Sequence, residues 1–320
     1  MERLENINQH LERSGLSLLS IAVANEALEC VKVLLEAGAE PNQWDLAEKK
    51  TALHTVADTG PAVTAQLLDL LVQHGGNINN GIEKNGGSVL HYGVSKGNYP
   101  MVKYLLDHKV ETVCKTFHET ALHTAVELDN PRMAELLLEA NRGCANSLMN
   151  DTKRLSPLHL AAEAGYTETC KVLLNFGADV SLLNGDNMTA LHLAARNLNL
   201  EVLKQLLEVS VRKDTNLINA KDNHGRTALF VCSSSQLKSS QGAIDCMIAL
   251  INLKADMDAQ DDVGNTPLHN AAIGDSLTQE NKIKYSHFLN CLNNDIIGFF
   301  GCTNNVVETI CHEKNYFVRW

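Results

Sequence analysis

The chain has 320 residues, 44% of them apolar and 20% charged, ordinary globular proportions that exclude a disordered, collagenous or coiled-coil chain. Its 38 Asp plus Glu against 27 Lys plus Arg give a net charge of -11, which repels a phosphate backbone and argues against nucleic acid as a partner. Nine cysteines, an odd number without a CxxC pair, fit a reducing compartment, and no apolar run reaches the length of a membrane span or a secretory leader, so cytoplasm or nucleus is the expected location.

In chain order, residues 1–16 read as a polar capping segment, after which a tetrapeptide of the form Thr/Ser-x-Leu-His recurs. It begins at Ser17 (SLLS), Thr51 (TALH), Ser88 (SVLH), Thr120 (TALH), Ser156 (SPLH), Thr189 (TALH), Thr227 (TALF) and Thr266 (TPLH), with starts 34, 37, 32, 36, 33, 38 and 39 residues apart. A fixed period of this size marks a repeat architecture. Small residues such as Ala161 and Ala162, or Ala194 and Ala195, follow the tetrapeptide. A Leu pair then begins 15 residues after the tetrapeptide Leu, as from Leu19 to Leu34, Leu90 to Leu105 and Leu191 to Leu206. The pattern predicts a slim short helix, a turn and a second amphipathic helix in each unit.

The Thr or Ser is placed to cap the first helix through its hydroxyl. Pro157 and Pro267 stand at the first helical position, Pro61, Pro100 and Pro131 near the starts of second helices, and Pro41 in a loop, so no proline interrupts a helix. Second helices close on EAGAEPN (from Glu36), QHGGNIN (from Gln73) and NFGADVS (from Asn175), where glycine suits a left-handed cap. Turn chemistry leads into the next unit in EKNGG (from Glu83), NGDNM (from Asn184), KDNHGR (from Lys221) and QDDVGN (from Gln260).

On these motifs the chain resembles the ankyrin-repeat family, with the best copies at SPLHLAAEAGYTETCKVLLNFGADVS from Ser156 and TALHLAARNLNLEVLKQLLEVS from Thr189. The resemblance covers residues 17–292 and implies an all-α solenoid of stacked helix-turn-helix units with projecting β-turn fingers and a concave face. It also implies binding of a protein partner without catalysis or cofactor. Three departures stand out. Ser20 replaces the first His, as suits a terminal unit facing solvent. In the seventh unit Phe230 replaces His and the insert SSSQLKSSQG lengthens the link between helices. In the eighth, the second helix is expected only at residues 284–292, and residues 293–320 form a tail without repeat character.

Six His share one period position: His54, His91, His123, His159, His192 and His269. Residues one period apart stack in a row, so each imidazole is expected to tie its own turn to the next rather than to join a catalytic or metal cluster. Cys291, Cys302, Cys311 and His312 lack the spacing of a zinc knuckle. Cys30, Cys170 and Cys246 read as buried small hydrophobes. No phosphate loop, GxSxG, HExxH or calcium loop occurs. Asn187 heads a formal glycosylation sequon that reads simply as a turn.

Positions that differ between units are the ones free to select a partner. Directly after the His slot these are Thr55, Tyr92, Thr124, Leu160, Leu193, Val231 and Asn270, and four residues beyond the slot Asp58, Ser95, Glu127, Glu163, Arg196, Ser234 and Ile273. By the family's geometry both series face the concave side. Finger tips add Lys49, Lys50, Asn85, Phe117, His118, Lys153, Arg154, Met188, His224 and Arg226. The partner-binding set is Tyr92, Phe117, His118, Lys153, Arg154, Glu163, Met188, Arg196, His224 and Arg226, with Tyr92 and Phe117 as aromatic anchors. The acidic total favours a basic partner segment, against the local charges at Lys49, Lys50, Lys153 and Arg154. The expected function is a non-enzymatic scaffold or regulatory adaptor. The alternative is the cytosolic repeat segment, or a shortened product, of a larger membrane protein such as an ankyrin-type transient receptor potential channel. An adaptor of a ubiquitin ligase would need a recruiting box, and the tail shows none.

Overall fold

A computed structural model describes residues 7–11, 15–46, 49–80, 87–112, 119–212, 216–233, 240–267 and 269–270. Fourteen α-helices and no strand are found among the described residues. They fall into two compact units, the first being residues 1–161 with 166–179 and the second residues 162–165 with 180–320.

In the first unit the helices come as pairs: α1 (Leu18–Ala24) with α2 (Leu28–Glu36), α3 (Ala52–Thr55) with α4 (Pro61–Gln73), α5 (Val89–Ser95) with α6 (Tyr99–Asp107), and α7 (Ala121–Glu127) with α8 (Pro131–Ala140). The unit boundary passes through α9 (Pro157–Ala164), and α10 (Thr167–Asn175) belongs to the first unit. Every described first helix starts one residue after the recurring Thr or Ser, as the sequence predicts. Pro61, Pro131 and Pro157 open their helices and Pro100 is second in its own, positions where the missing N–H costs nothing. Asn98 and Asn130 cap α6 and α8 by accepting the backbone N–H of Met101 and Met133. Along the seam Leu53, Leu67, Leu90, Leu105, Leu122 and Leu137 are at most 1% exposed, each burial worth about 2–3 kcal/mol before conformational entropy is subtracted.

The second unit pairs α11 (Ala190–Arg196) with α12 (Leu200–Arg212) and α13 (Ala228–Ser233) with α14 (Ser240–Asn252). Its core is Leu191, Leu203, Leu206, Leu229 and Leu250. Ala194 and Ala195 are fully buried; their single methyls let the neighbouring helix approach. The second helix expected at residues 284–292 and the tail 293–320 lie outside the described residues.

Left-handed backbone recurs at three slots of the repeat, though not in every copy. Two residues before the Thr or Ser it falls on Lys49, Arg154, Asn187, Gly225 and Gly264. Nine residues after, it falls on Glu26, Gly97, Asp129, Gly165 and Leu198. At the end of the second helix it falls on Gly38, Gly75, Lys109, Gly177 and Lys254, all with φ between 45° and 93°. Glycine marks only part of each series, so only part of it was visible in the sequence.

Two expectations are corrected. Ser20 is 1% exposed, not solvent-facing: its backbone N–H donates to Ser17 Oγ (3.1 Å), while the Ser17 N–H is taken by the buried Asp45 carboxylate (2.9 Å). Cys30 is exposed whereas Cys170 and Cys246 are buried. Cys170 has α8 packed against its helix, but no helix of a preceding pair covers α2 among the described residues.

Candidate protein-binding surface

The recurring imidazoles belong to the frame. In all six repeats that carry His, the backbone N–H of the Thr or Ser donates to its own His Nδ1 at 3.1–3.3 Å. A ring nitrogen that accepts an N–H carries no proton, so these rings are neutral with hydrogen on Nε2. That hydrogen crosses to the carbonyl just ahead of the next tetrapeptide: His91 to Glu119 (3.0 Å), His123 to Leu155 (3.1 Å) and, in the second unit, His192 to Arg226 (3.1 Å). His54 is different, because its buried Nε2 has no hydrogen-bond partner among the described residues. Burial holds the His54 ring down at about 4, helped by the Lys50 ammonium, and holds His123 down at about 4 as well. Burial likewise lowers His91 and His192.

A second row of links, unforeseen from the sequence, joins successive loops through asparagine. In the first unit the Oδ1 atoms of Asn8, Asn42, Asn79 and Asn146 accept the backbone N–H of Glu40 (3.0 Å), Asn77 (2.7 Å), Glu111 (2.9 Å) and Asp179 (2.8 Å). In the second, Asn219 accepts from Asp256 (2.8 Å). The signal was an Asn shortly after the close of α2, α4, α8 and α12, as in AEPN at Asn42 and NIN at Asn79.

On this frame the variable positions are distributed unevenly. In the first unit Tyr92 is half-buried. Its hydroxyl accepts from Lys50 Nζ (2.5 Å) and donates to Asp58 (3.1 Å), which also pairs with Lys96 (2.6 Å). The Tyr92 ring stands edge-on to His54, with centroids 6.1 Å apart. Asp58, Ser95 and Glu127 form the exposed series four residues beyond the His slot. Partial burial raises the Glu127 carboxyl above its ordinary value. Lys153 and Arg154 are exposed on a finger, where the Arg154 N–H donates to Asp151 (2.8 Å). Phe117, His118 and Asn85 lie outside the described residues.

In the second unit Glu163 and Arg196 form an ion pair at 2.7 Å between successive repeats. Met188 is corrected from the expected set: it is 3% exposed, with its sulfur 3.9 Å beneath the Arg196 guanidinium, and so offers no surface. Leu193 and Val231, directly after the His slot, are also buried, at 1% and 4% exposed. Arg226 clasps Asp222 of its own finger at 2.7 Å and remains about a third exposed. Although burial opposes ionisation of Asp222, Arg226 and the N–H groups of Arg226 and His224 hold its carboxyl below the ordinary value. His224 is exposed at the tip, and its carbonyl accepts the Asp262 N–H (3.0 Å), linking one finger to the next. Ser234 and Ile273 lie outside the described residues, as do Cys291, Cys302, Cys311 and His312. No group of three metal-ligating side chains occurs among the described residues, and no helix there is long and apolar enough to cross a membrane.

Three copies of a family model for ankyrin repeats match residues 19–116, 109–184 and 158–260. The chain is 30% identical over 200 residues to the nuclear factor NF-kappa-B p105 subunit of Gallus gallus, covering 59% of this chain and 19% of that protein. It is 31% identical over 170 residues to inversin of Canis lupus familiaris, covering 52% and 15% respectively. It is 28% identical over 240 residues to the transient receptor potential cation channel subfamily A member 1 of Homo sapiens, covering 71% and 20%. The matched segment is thus about a fifth or less of each relative. With the family model spanning three quarters of the sequence and a His-capped helical hairpin in each described repeat that keeps the tetrapeptide, the chain belongs to the ankyrin-repeat family.

Proposed function

We propose that the chain is a non-enzymatic scaffold or regulatory adaptor that holds a partner protein on its fingers and the exposed row of its first helices. One observation carries this reading: the same hydrogen-bonded frame recurs while the exposed side chains on it change from Asp58 to Ser95 to Glu127. Uniform stacking needs no such variation, whereas recognition does. Backbone and Asn links tie the described parts of the fingers, so association there loses less conformational entropy than it would with free loops.

Tyr92, Phe117, His118, Lys153 and Arg154 are the contacts proposed for the first unit, and Glu163, Arg196, His224 and Arg226 those for the second. The repeat domain is taken as residues 17–292, between a capping segment 1–16 and a tail 293–320. No cofactor and no nucleic acid is invoked, and cytoplasm or nucleus is the proposed location. Replacing Tyr92 and Phe117 together by Ala is expected to weaken a captured partner at least tenfold, about 1.4 kcal/mol, with an unchanged thermal melt. Equal affinity of the double variant removes these two as anchors.

A second reading is favoured by the channel match, which covers 71% of this chain: the repeats are the cytosolic segment of a larger membrane protein. Transcripts that continue in frame beyond the Trp320 codon into membrane-spanning sequence support it, and a message that stops there leaves the adaptor.

A further inference from the structure

The seventh repeat carries chemistry that partner binding does not use. Cys232 lies on α13 and is 1% exposed; Cys246 lies on α14 and is fully buried. Cys232 Sγ is 3.6 Å from the carbonyl oxygen of Ala243, one helical turn before Cys246, so the Cys232 sulfur is seated against the turn that bears the second thiol. Cys170 and Cys144, the other buried cysteines among the described residues, sit in the first unit. Cys232 and Cys246 are thus buried neighbours across one helical hairpin, the first sulfur seated against the turn that bears the second, the adjacency a disulfide needs.

We propose that Cys232 and Cys246 are a reversible modification site, a dithiol that a hydroperoxide converts to an intramolecular disulfide joining α13 to α14. One of the two thiols loses its proton and attacks the peroxide: its sulfur gains an oxygen as sulfenic acid, the O–O bond breaks, and hydroxide leaves and takes the proton to become water. The other thiol then loses its proton and attacks the sulfenic sulfur. The S–S bond forms, the S–O bond breaks, and a second water leaves. The two thiols lose two electrons and one peroxide gains them. A dithiol reductant reverses the step by thiol–disulfide exchange and leaves as its own disulfide.

The bridge closes a loop containing the Ser-rich insert SSSQLKSSQG and fixes the second helix of this repeat to the first. Conformations lost from the unfolded chain then favour the folded hairpin.

The test uses the full-length chain, reduced, treated with hydrogen peroxide, quenched with catalase, unfolded in N-ethylmaleimide and digested with trypsin without reductant. Cleavage after Arg226, Lys238 and Lys254 places the two cysteines on separate peptides, 227–238 and 239–254. The expected product is these two peptides joined by one disulfide, separated by dithiothreitol. Both cysteines should appear as maleimide adducts in the untreated chain, and the joined species should be lost in Cys246→Ser. Recovery of both residues as maleimide adducts at a peroxide dose that oxidises the exposed Cys30 overturns the proposal. So does bridging of either to a different cysteine, or their separate conversion to sulfinic acid.

Discussion

At the scale of single residues, the account turns on what the imidazoles do. His123 accepts the Thr120 N–H and donates to Leu155, both bonds buried. His123→Ala leaves that donor and acceptor unpaired around a cavity, and is expected to cost about 3 kcal/mol by urea unfolding. The same rings predict a pH dependence. In the folded chain His54 and His123 stay neutral until about pH 4, while an unfolded imidazole takes up its proton near its ordinary value of 6.5. Between these values the unfolded chain binds more protons, so stability falls as pH falls from about 6.5 to about 4, by about 3 kcal/mol for each ring across the whole window. Urea midpoints measured between pH 7.5 and pH 5 should decline in the parent and decline less steeply in His123→Ala. Parallel slopes would contradict the assignment of a buried neutral ring.

The His row was legible because chemistry and period coincide at one position. Met188 was misread as a surface residue because a finger tip and the floor beneath it lie one residue apart; only the geometry of Arg196 above it separates the two.

At the scale of the element, backbone conformation explains both what was readable and what was not. The Thr/Ser cap, the proline positions and the Leu pair announce each helical hairpin, since a hydroxyl, a missing N–H and an apolar face each favour one place in a helix. The left-handed slots are only partly announced, because helix-ending backbone hydrogen bonds from the residue after each, Val110 to Leu105, Ala255 to Leu250 and Asn199 to Ala194, hold Lys109, Lys254 and Leu198 in a conformation that glycine adopts freely. Lys109 is exposed at the end of α6 with φ +57°, so Lys109→Gly is expected to stabilise by about 0.5–1 kcal/mol, read as a rise in melting temperature. Gly165 predicts the opposite sign. Its φ is +82° and an added Cβ would stand 2.7 Å from Asn199 Oδ1. The Asn199 amide meanwhile donates to the carbonyls of Ala162 and Glu163 and has little room to yield. Gly165→Ala should therefore lower stability by about 2 kcal/mol. A neutral melt for both variants would show that these slots carry no strain. The Asn links went unread for a different reason: each joins a side chain to a backbone N–H in the following loop, a contact that residue type alone does not advertise.

At the scale of the whole molecule, the comparisons settle the family, with identities of about 30% over part of each relative. What distinguishes this chain is the set of side chains the frame leaves outside. In the first unit that set is locally basic at Lys49, Lys50, Lys96, Lys153 and Arg154, although the chain as a whole carries a charge of -11. Exposed lysines also mark the opposite elements, the second helices, at Lys32, Lys103, Lys171 and Lys204. They provide a direct reading of which elements a partner meets. The decisive measurement is lysine-directed cross-linking of the full-length chain to a captured partner, with the linked residues identified by mass spectrometry. Links concentrated at Lys49, Lys50, Lys96 and Lys153 are the predicted result, and links concentrated at Lys32, Lys103, Lys171 and Lys204 would contradict it.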